Sequence, residues 1–373
     1  MRGLCVGIFY LPSTVRRPSK SGAVRRHFAL ALIGAVTVGA TLLASRLQAA
    51  AVPAKLAVLQ RWTVGGDGGW DYLTFDAATR RLFVSRGSRV DVISVDTGTV
   101  VGTIPNTQGV HGIALANDLR RGFTSNGRAN SVTAFDLDTL QVVQEAEIPA
   151  RNPDAILYDR QGAHVFTFNG ASTDVTVLDA ANLSVTTRIP LTDKPEFAVS
   201  DGEGHIFSNI ESAPGKMVAI DSRNLNVSAN WNLPGCDSPT GLAIDPAHQR
   251  LFSVCDGKVM VVTDSRTGKQ VASLPIGEHP DAAVYDRRHA LVFSSNGDGT
   301  LTVIHQDSPD HYAVIQTLET KRGARTMALD PHTGKLYLVS ADFGPPPAPT
   351  ESQPNPRPVP IPGSFVVLVV GTP

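Results

Sequence analysis

Short apolar runs alternate with polar, turn-forming stretches along this chain, and the alternation itself recurs. Aligned on the first strand of each unit, seven copies begin at Trp70, Val110, Pro153, Pro195, Pro239, Pro280 and Ala324, spaced by 40, 43, 42, 44, 41 and 44 residues. The first run of a copy ends near an aspartate (Asp76, Asp159, Asp201, Asp245, Asp286, Asp330); the second copy departs, with Ala116 there and Asp118 two residues on. A second run follows, as in Leu82-Phe83-Val84 and Leu251-Phe252. A third, Val-rich run often closes on Asp (Asp136, Asp179, Asp221), and a fourth leads into the next copy. Four short strands per ~40–45 residues is the pattern of a β-propeller blade, whose apolar faces are buried only by neighbouring blades. The pattern predicts an all-β, seven-bladed β-propeller with four-stranded blades.

The ends of the pattern predict how the ring closes. The seventh copy supplies three strands, Thr326–Leu329, Lys335–Val339 and Phe365–Val370, while an orphan strand, Leu56–Val64, precedes the first copy. That strand is expected to complete the last blade, because an open ring would leave a row of unpaired N–H and C=O groups.

Residues 1–54 do not fit the repeat. Arg25-Arg26-His27-Phe28, an uncharged run from Ala29 to Ser45, and Leu47-Gln48-Ala49-Ala50-Ala51 have the order of an export signal: basic region, apolar segment, small-residue cleavage site. Arg-Arg-x-Phe also resembles a twin-arginine signal, although Val24 stands where a polar residue is usual. The expectation is a bacterial, periplasmic or otherwise exported protein with no stable membrane span after processing; an uncleaved N-terminal anchor is the alternative. With 33 basic and 34 acidic residues, no global field favours nucleic acid. The mature chain is expected to be a monomer. Cys236 and Cys255 remain after processing, at two strand ends of blade five that share a face, so a disulfide is expected; two free thiols or a thiolate metal pair are the other options.

Candidate chemistry collects at the top of the ring, where each innermost strand starts. One position into that strand the seven blades read Asp71, His111, Asp154, Glu196, Thr240, Asp281 and Arg325, polar in every case. A position needed only for packing would be small or apolar. Asp71, His111 and Asp154 come from consecutive blades and could hold a divalent cation: calcium, magnesium or manganese from the oxygens, zinc or iron through the imidazole. Glu196 or Asp281 would then be the catalytic candidates, as general base. Arg325 could pair with Asp281 or Asp71, or hold a carboxylate or phosphate. Neutralising, solvated charge pairs are the competing account of such a column. A second column, at the top end of each second strand, reads Arg86, Asn126, Asn169, Ile210, Cys255, Asn296 and Ser340. Its Arg86, Asn126, Asn169 and Asn296, with Arg325, are the ligand-binding candidates.

A proline-rich segment at 343–363, between the second and third strands of blade seven, carries nine of the 26 prolines. It cannot continue a sheet and favours extended geometry, so it could cover the channel, dock a partner, or be a plain loop. Gly65-Gly66-Asp67-Gly68-Gly69 opens no helix and so makes a poor phosphate cradle. His164, His205, His248, His289 and His332 fall near turns of the opposite face and read as solvated.

Arg81-Leu82-Phe83-Val84-Ser85 with Val90-x-Val92, Ala163–Asn169 with Val175-x-Val177-Leu178-Asp179, and Lys335-Leu336-Tyr337-Leu338-Val339 resemble the YVTN-type, YncE-like seven-bladed propellers over residues 55–373. The resemblance implies a bacterial extracytoplasmic propeller and no single activity, since related propellers include binding modules, lactonases and metal-dependent lyases. The expected function is binding of a small ligand, metal or partner protein at the top-face mouth. A metal-dependent hydrolase, lactonase or lyase using the same ring is the alternative, and a scaffold docked through the proline-rich segment a third reading.

Overall fold

The computed structural model describes residues 55–350, 354, 356 and 358–373; the export-signal expectation lies outside them. Seven antiparallel four-stranded sheets make up the regular structure, so the chain is a seven-bladed β-propeller. Six blades are built from consecutive strands. The seventh is composite, with Ala57–Thr63 as its outer strand beside Val366–Gly371, Leu336–Ser340 and Met327–Leu329. Trp62 lies opposite Val367 and Arg61 opposite Leu368, which joins the first and last strands of the propeller through main-chain hydrogen bonds.

The core is distributed as the repeat requires. Seven apolar clusters are found among the described residues, one at each contact between neighbouring blades. Second and third strands are buried on both faces, as Arg250–Cys255 illustrates. Outer strands such as Asn226–Asn232 alternate between half-buried and exposed positions. Leu82 and Tyr337 meet where blades one and seven touch, so ring closure also completes one of these clusters.

The recurring aspartates hold turns. Asp76, Asp159, Asp201, Asp245, Asp286 and Asp330 each accept a backbone N–H two or three residues ahead, as from Ala78, Gly162 and His332. A short carboxylate that satisfies turn N–H groups is the physical content of the repeat's most regular polar mark. The histidines of that face are less free than expected. His205, His248 and His289 each place Nδ1 2.6 Å from the aspartate of their own turn.

A candidate site at the channel mouth

The first column sits where the sheet ladder is interrupted. In blades two to six the pairing of first and second strands shifts register between Val110 and Ile113, Pro153 and Ile156, Pro195 and Ala198, Pro239 and Leu242, and Pro280 and Ala282. In blades one and seven regular pairing begins only at Leu73 and Met327, just past Asp71 and Arg325. A bulge frees a residue from the alternation of the strand and re-aims its side chain. Hydroxyls take over the lost main-chain bonds: Ser85 Oγ accepts from the Asp71 N–H at 3.0 Å, and Ser125 Oγ from that of Gly112 at 2.9 Å. Neighbouring blades fix the carbonyls of the same column. Ser125 Oγ donates to Asp154, Asn209 Nδ2 to Thr240 and Ser295 Oγ to Arg325.

Asp71, His111 and Asp154 converge. His111 Nδ1 is 2.5 Å from Asp71 Oδ2 and 3.8 Å from Asp154 Oδ1. One donor atom from each of the three lies within 4.8 Å of the other two. Around them stand Glu196 with Lys194, whose Nζ is 2.7 Å from Glu196 Oε1 and also bonds Glu211, and Asp281 with Arg325 Nε at 3.2 Å. Five carboxylates therefore face one imidazole, one ammonium and one guanidinium.

The electrostatics follow from that crowding. Burial works against a charged His111, but the hydrogen bond to Asp71 and the charges of Asp154, Asp71 and Glu196 outweigh it and raise its pKa to about 9. Burial pushes the carboxyl groups of Asp154, Glu196 and Asp281 well above the ordinary carboxylate range, against the pull of His111, Lys194 and Arg325 respectively. Burial, then Asp154, Glu196, Asp71 and Asp281, raise the Tyr72 hydroxyl well above its usual value, so it stays a neutral donor.

Tyr72 and Glu211 were not among the candidates. One position past the first column the blades read Tyr72, Gly112, Ala155, Phe197, Gly241, Ala282 and Thr326. Against five small residues, the two large aromatics are the available signal. Their rings meet with centroids 5.2 Å apart although they belong to blades one and four, so they fill the channel beneath the mouth.

The second column does not open onto the channel: Asn126, Asn169, Asn296 and Arg86, expected as ligand-binding residues, are buried in this structure. Asn126, Asn169 and Asn296 are fully buried inside their own blades. In each, Oδ1 accepts from a hydroxyl two residues back (Thr124, Thr167, Ser294) and Nδ2 donates to the third strand: Ser131 and Thr133, Asp174 and Thr176, or Thr300 and Thr302. Amides were expected to face the channel because they are polar; they turn inward because strand alternation puts them opposite hydroxyls that satisfy them. Arg86 is buried too, over the Phe365 ring at 3.6 Å, with Nη2 donating to the Asp67 carbonyl at 2.7 Å; burial lowers its pKa to about 10. The glycine run 65–69 therefore turns carbonyls toward a cation. Gly65, Gly66 and Gly68 have φ of 71°, 78° and 86°, conformations that disfavour other residues. Cys255 closes a disulfide with Cys236, with Cα atoms 5.4 Å apart. Ser340 donates to the Arg322 carbonyl.

The base of the proline-rich segment is ordered. Phe343 bridges Pro360, Gly344 N–H donates to the Val359 carbonyl at 2.9 Å, and Gly363 N–H to that of Gly66 at 2.8 Å. Outside the blades the segment thus makes a short pairing of its own. Trp70 lies between Phe343 and Phe365, with centroid separations of 5.9 and 5.5 Å, and ties this base to the mouth.

A scan of protein-family models finds none that matches the chain, and a search of curated proteins finds no match either. Among solved structures the chain is similar to a chain of Kuenenia stuttgartiensis hydrazine synthase, at a TM-score of 0.65 and 16% identity, over 72% of this chain and 92% of that one. At that identity the likeness concerns the propeller fold alone.

Proposed function

We propose that this protein is an exported, YncE-like propeller that binds a divalent cation, and with it a small ligand, at the mouth of its channel. The observation that carries the reading is the convergence of Asp71, His111 and Asp154, whose donor atoms lie within 4.8 Å of one another. Two donors bonded to one ion at about 2.0–2.4 Å can be at most ~4.8 Å apart, so the three match the reach of a single ion. The crowding of carboxyl groups gives the cation its advantage, since it replaces protons held against the groups' ordinary preference. Export is supported by the order of residues at the N-terminus and by the disulfide, which belongs to an oxidising compartment.

Thermal unfolding of the mature protein across a series of divalent cations, against chelator, tests this. Occupancy should raise the melting temperature by mass action on the folded state, and His111→Ala should abolish the rise. A flat response across the series would remove the cation.

A second reading, a metal-dependent hydrolase, lactonase or lyase, is favoured by Glu196 and Asp281. Both carboxyl groups are pushed upward by burial and stand beside the cluster, as an acid or base working near neutral pH requires. The bound cation would polarise a carbonyl. Lactone opening that responds to cation and is lost in Glu196→Gln or Asp281→Asn would distinguish enzyme from binding module.

A further inference from the structure

Beside the mouth, under the base of the proline-rich segment, lies a cavity of about 730 Å³. Its walls are of two kinds. Trp70, Phe343, Pro346, Pro358 and Pro360 supply flat, rigid, apolar surface, while Arg322 and Arg325 supply positive charge. The aromatic wall is built by close approach: Gly323 has φ 81°, and a Cβ there would stand 2.8 Å from the Phe343 ring, so only glycine lets the ring lie where it does. Arg322 is exposed and, among the described residues, in no ion pair. Arg325 reaches Asp281 through Nε at 3.2 Å. Gly69 and Trp70 also line the neighbouring cavity that contains Asp71 and His111, so the two spaces share a wall.

We propose that this cavity binds an organic anion with an aromatic or flat apolar body, its carboxylate or equivalent group directed to Arg322 and Arg325. A preformed apolar pocket with a few convergent polar groups is the usual form of a small-molecule site. Aromatic rings and prolines offer large contact area at little entropic cost. Guanidinium groups suit a planar carboxylate, and the cation they cannot accept is excluded by charge. The wall shared with the cluster places the ligand's charged end beside any ion held by Asp71, His111 and Asp154. The proposal rests on reading the top face as a binding face, and it does not require the cation.

Calorimetric titration of the mature protein in chelator with 2-naphthoate, 2-naphthylmethanol and 2-naphthylmethylamine tests it. The acid should bind about tenfold more tightly than the alcohol, and the amine should bind worst, as one charge-assisted contact would give. Arg322→Gln and Arg325→Gln should each bring the acid toward the alcohol's affinity and leave the alcohol unchanged, whereas Phe343→Ala should weaken both. Gly69→Leu should block all three, since a Cβ at Gly69 meets nothing within 4 Å and the larger side chain has open space to fill without disturbing the fold. Equal affinity for the three probes, a preference for the amine, no detectable binding, or arginine variants that bind like the parent would each overturn the proposal. Because chelator is present throughout, failure of the cation reading leaves this result standing, and a cation-dependent melting shift without naphthoate binding would sink this proposal alone.

Discussion

Two polar columns run around the same face of this ring, 14 or 15 residues apart in every repeat, and they do opposite things. The column at the end of the second strands is a set of fasteners: three asparagines satisfied by hydroxyl and carboxylate partners inside a blade, one disulfide, one arginine folded over a phenylalanine, one serine on a carbonyl. The column at the start of the first strands sits on interrupted ladder and faces its own members across the mouth. Polarity alone does not separate them. What does is whether the strand's pairing is intact: a paired position hands its side chain to the neighbouring strand, and a bulged one releases it.

The largest effect that would break this contrast is expected at the fasteners. Reducing Cys236–Cys255, 19 residues apart, should lower stability by about 3 kcal/mol through the freed unfolded chain. Urea unfolding with and without reductant measures this, and an unchanged midpoint would mean that the second column does not fasten blade five. Asn169→Ala should cost about 2 kcal/mol, since the buried hydroxyls of Thr167 and Thr176 and the carboxylate of Asp174 lose their shared partner. The same variant should leave any cation-dependent melting shift intact.

The mirror-image substitution sharpens the comparison. Asp154→Asn, in chelator, should change stability by less than about 1 kcal/mol and in the favourable direction, because burial already opposes the ionised form of Asp154. It should also remove the cation response. A strongly destabilised, cation-responsive Asp154→Asn protein would reverse the assignment of the two columns.

The contrast also predicts a pH dependence. In the metal-free protein Asp154, Glu196, Asp281 and His111 all hold protons more tightly folded than unfolded. Their contribution is complete below the unfolded values, about 4 for the acids and about 6.5 for the imidazole, and is lost as pH rises through the folded ones. Turn aspartates such as Asp136 and Asp221, held below the ordinary range by backbone N–H groups, act with the opposite sign but only in strong acid. Stability in chelator should therefore decline from about pH 5 to pH 9, and His111→Ala should flatten the upper part of that decline, where the parent imidazole titrates near 9. A melting temperature constant over this window would show that the mouth carries no such strain.

The architecture was legible because a blade repeats its buried runs. The copies, their count and the closing strand follow from apolar periodicity, and observed strand ends differ from the expected ones by a residue, as at Met327 and Leu336. The first column could also be picked out, since Asp71, His111 and Asp154 break the apolar rule of an inner strand. Asn126, Asn169 and Asn296 could not be told from channel residues, because their satisfaction depends on hydroxyls of an adjacent strand that composition does not reveal. Arg86 was misleading for a related reason: its hydrogen bonds go to carbonyls, which every residue has. Tyr72 and Phe197 escaped because strand alternation assigns the position after a channel residue to the other face, and the interrupted ladder suspends that alternation.

Blade seven has a consequence for how the molecule comes into being. Of the described strands its outer one, Ala57–Thr63, is made first, and the strand it pairs with, Val366–Gly371, is made last. During synthesis six blades can stack on one another while the earliest strand has no edge to join. Nearly the whole described length must therefore be gathered before that single pairing forms, the longest-range loop closure among the described strands. Until then blade one lacks its neighbour and the incomplete sheet keeps a bare edge. Completion is therefore a single late event that converts an open arc into a ring, and a chain cut short by even its last strand would be left with an end that recruits strands from other molecules.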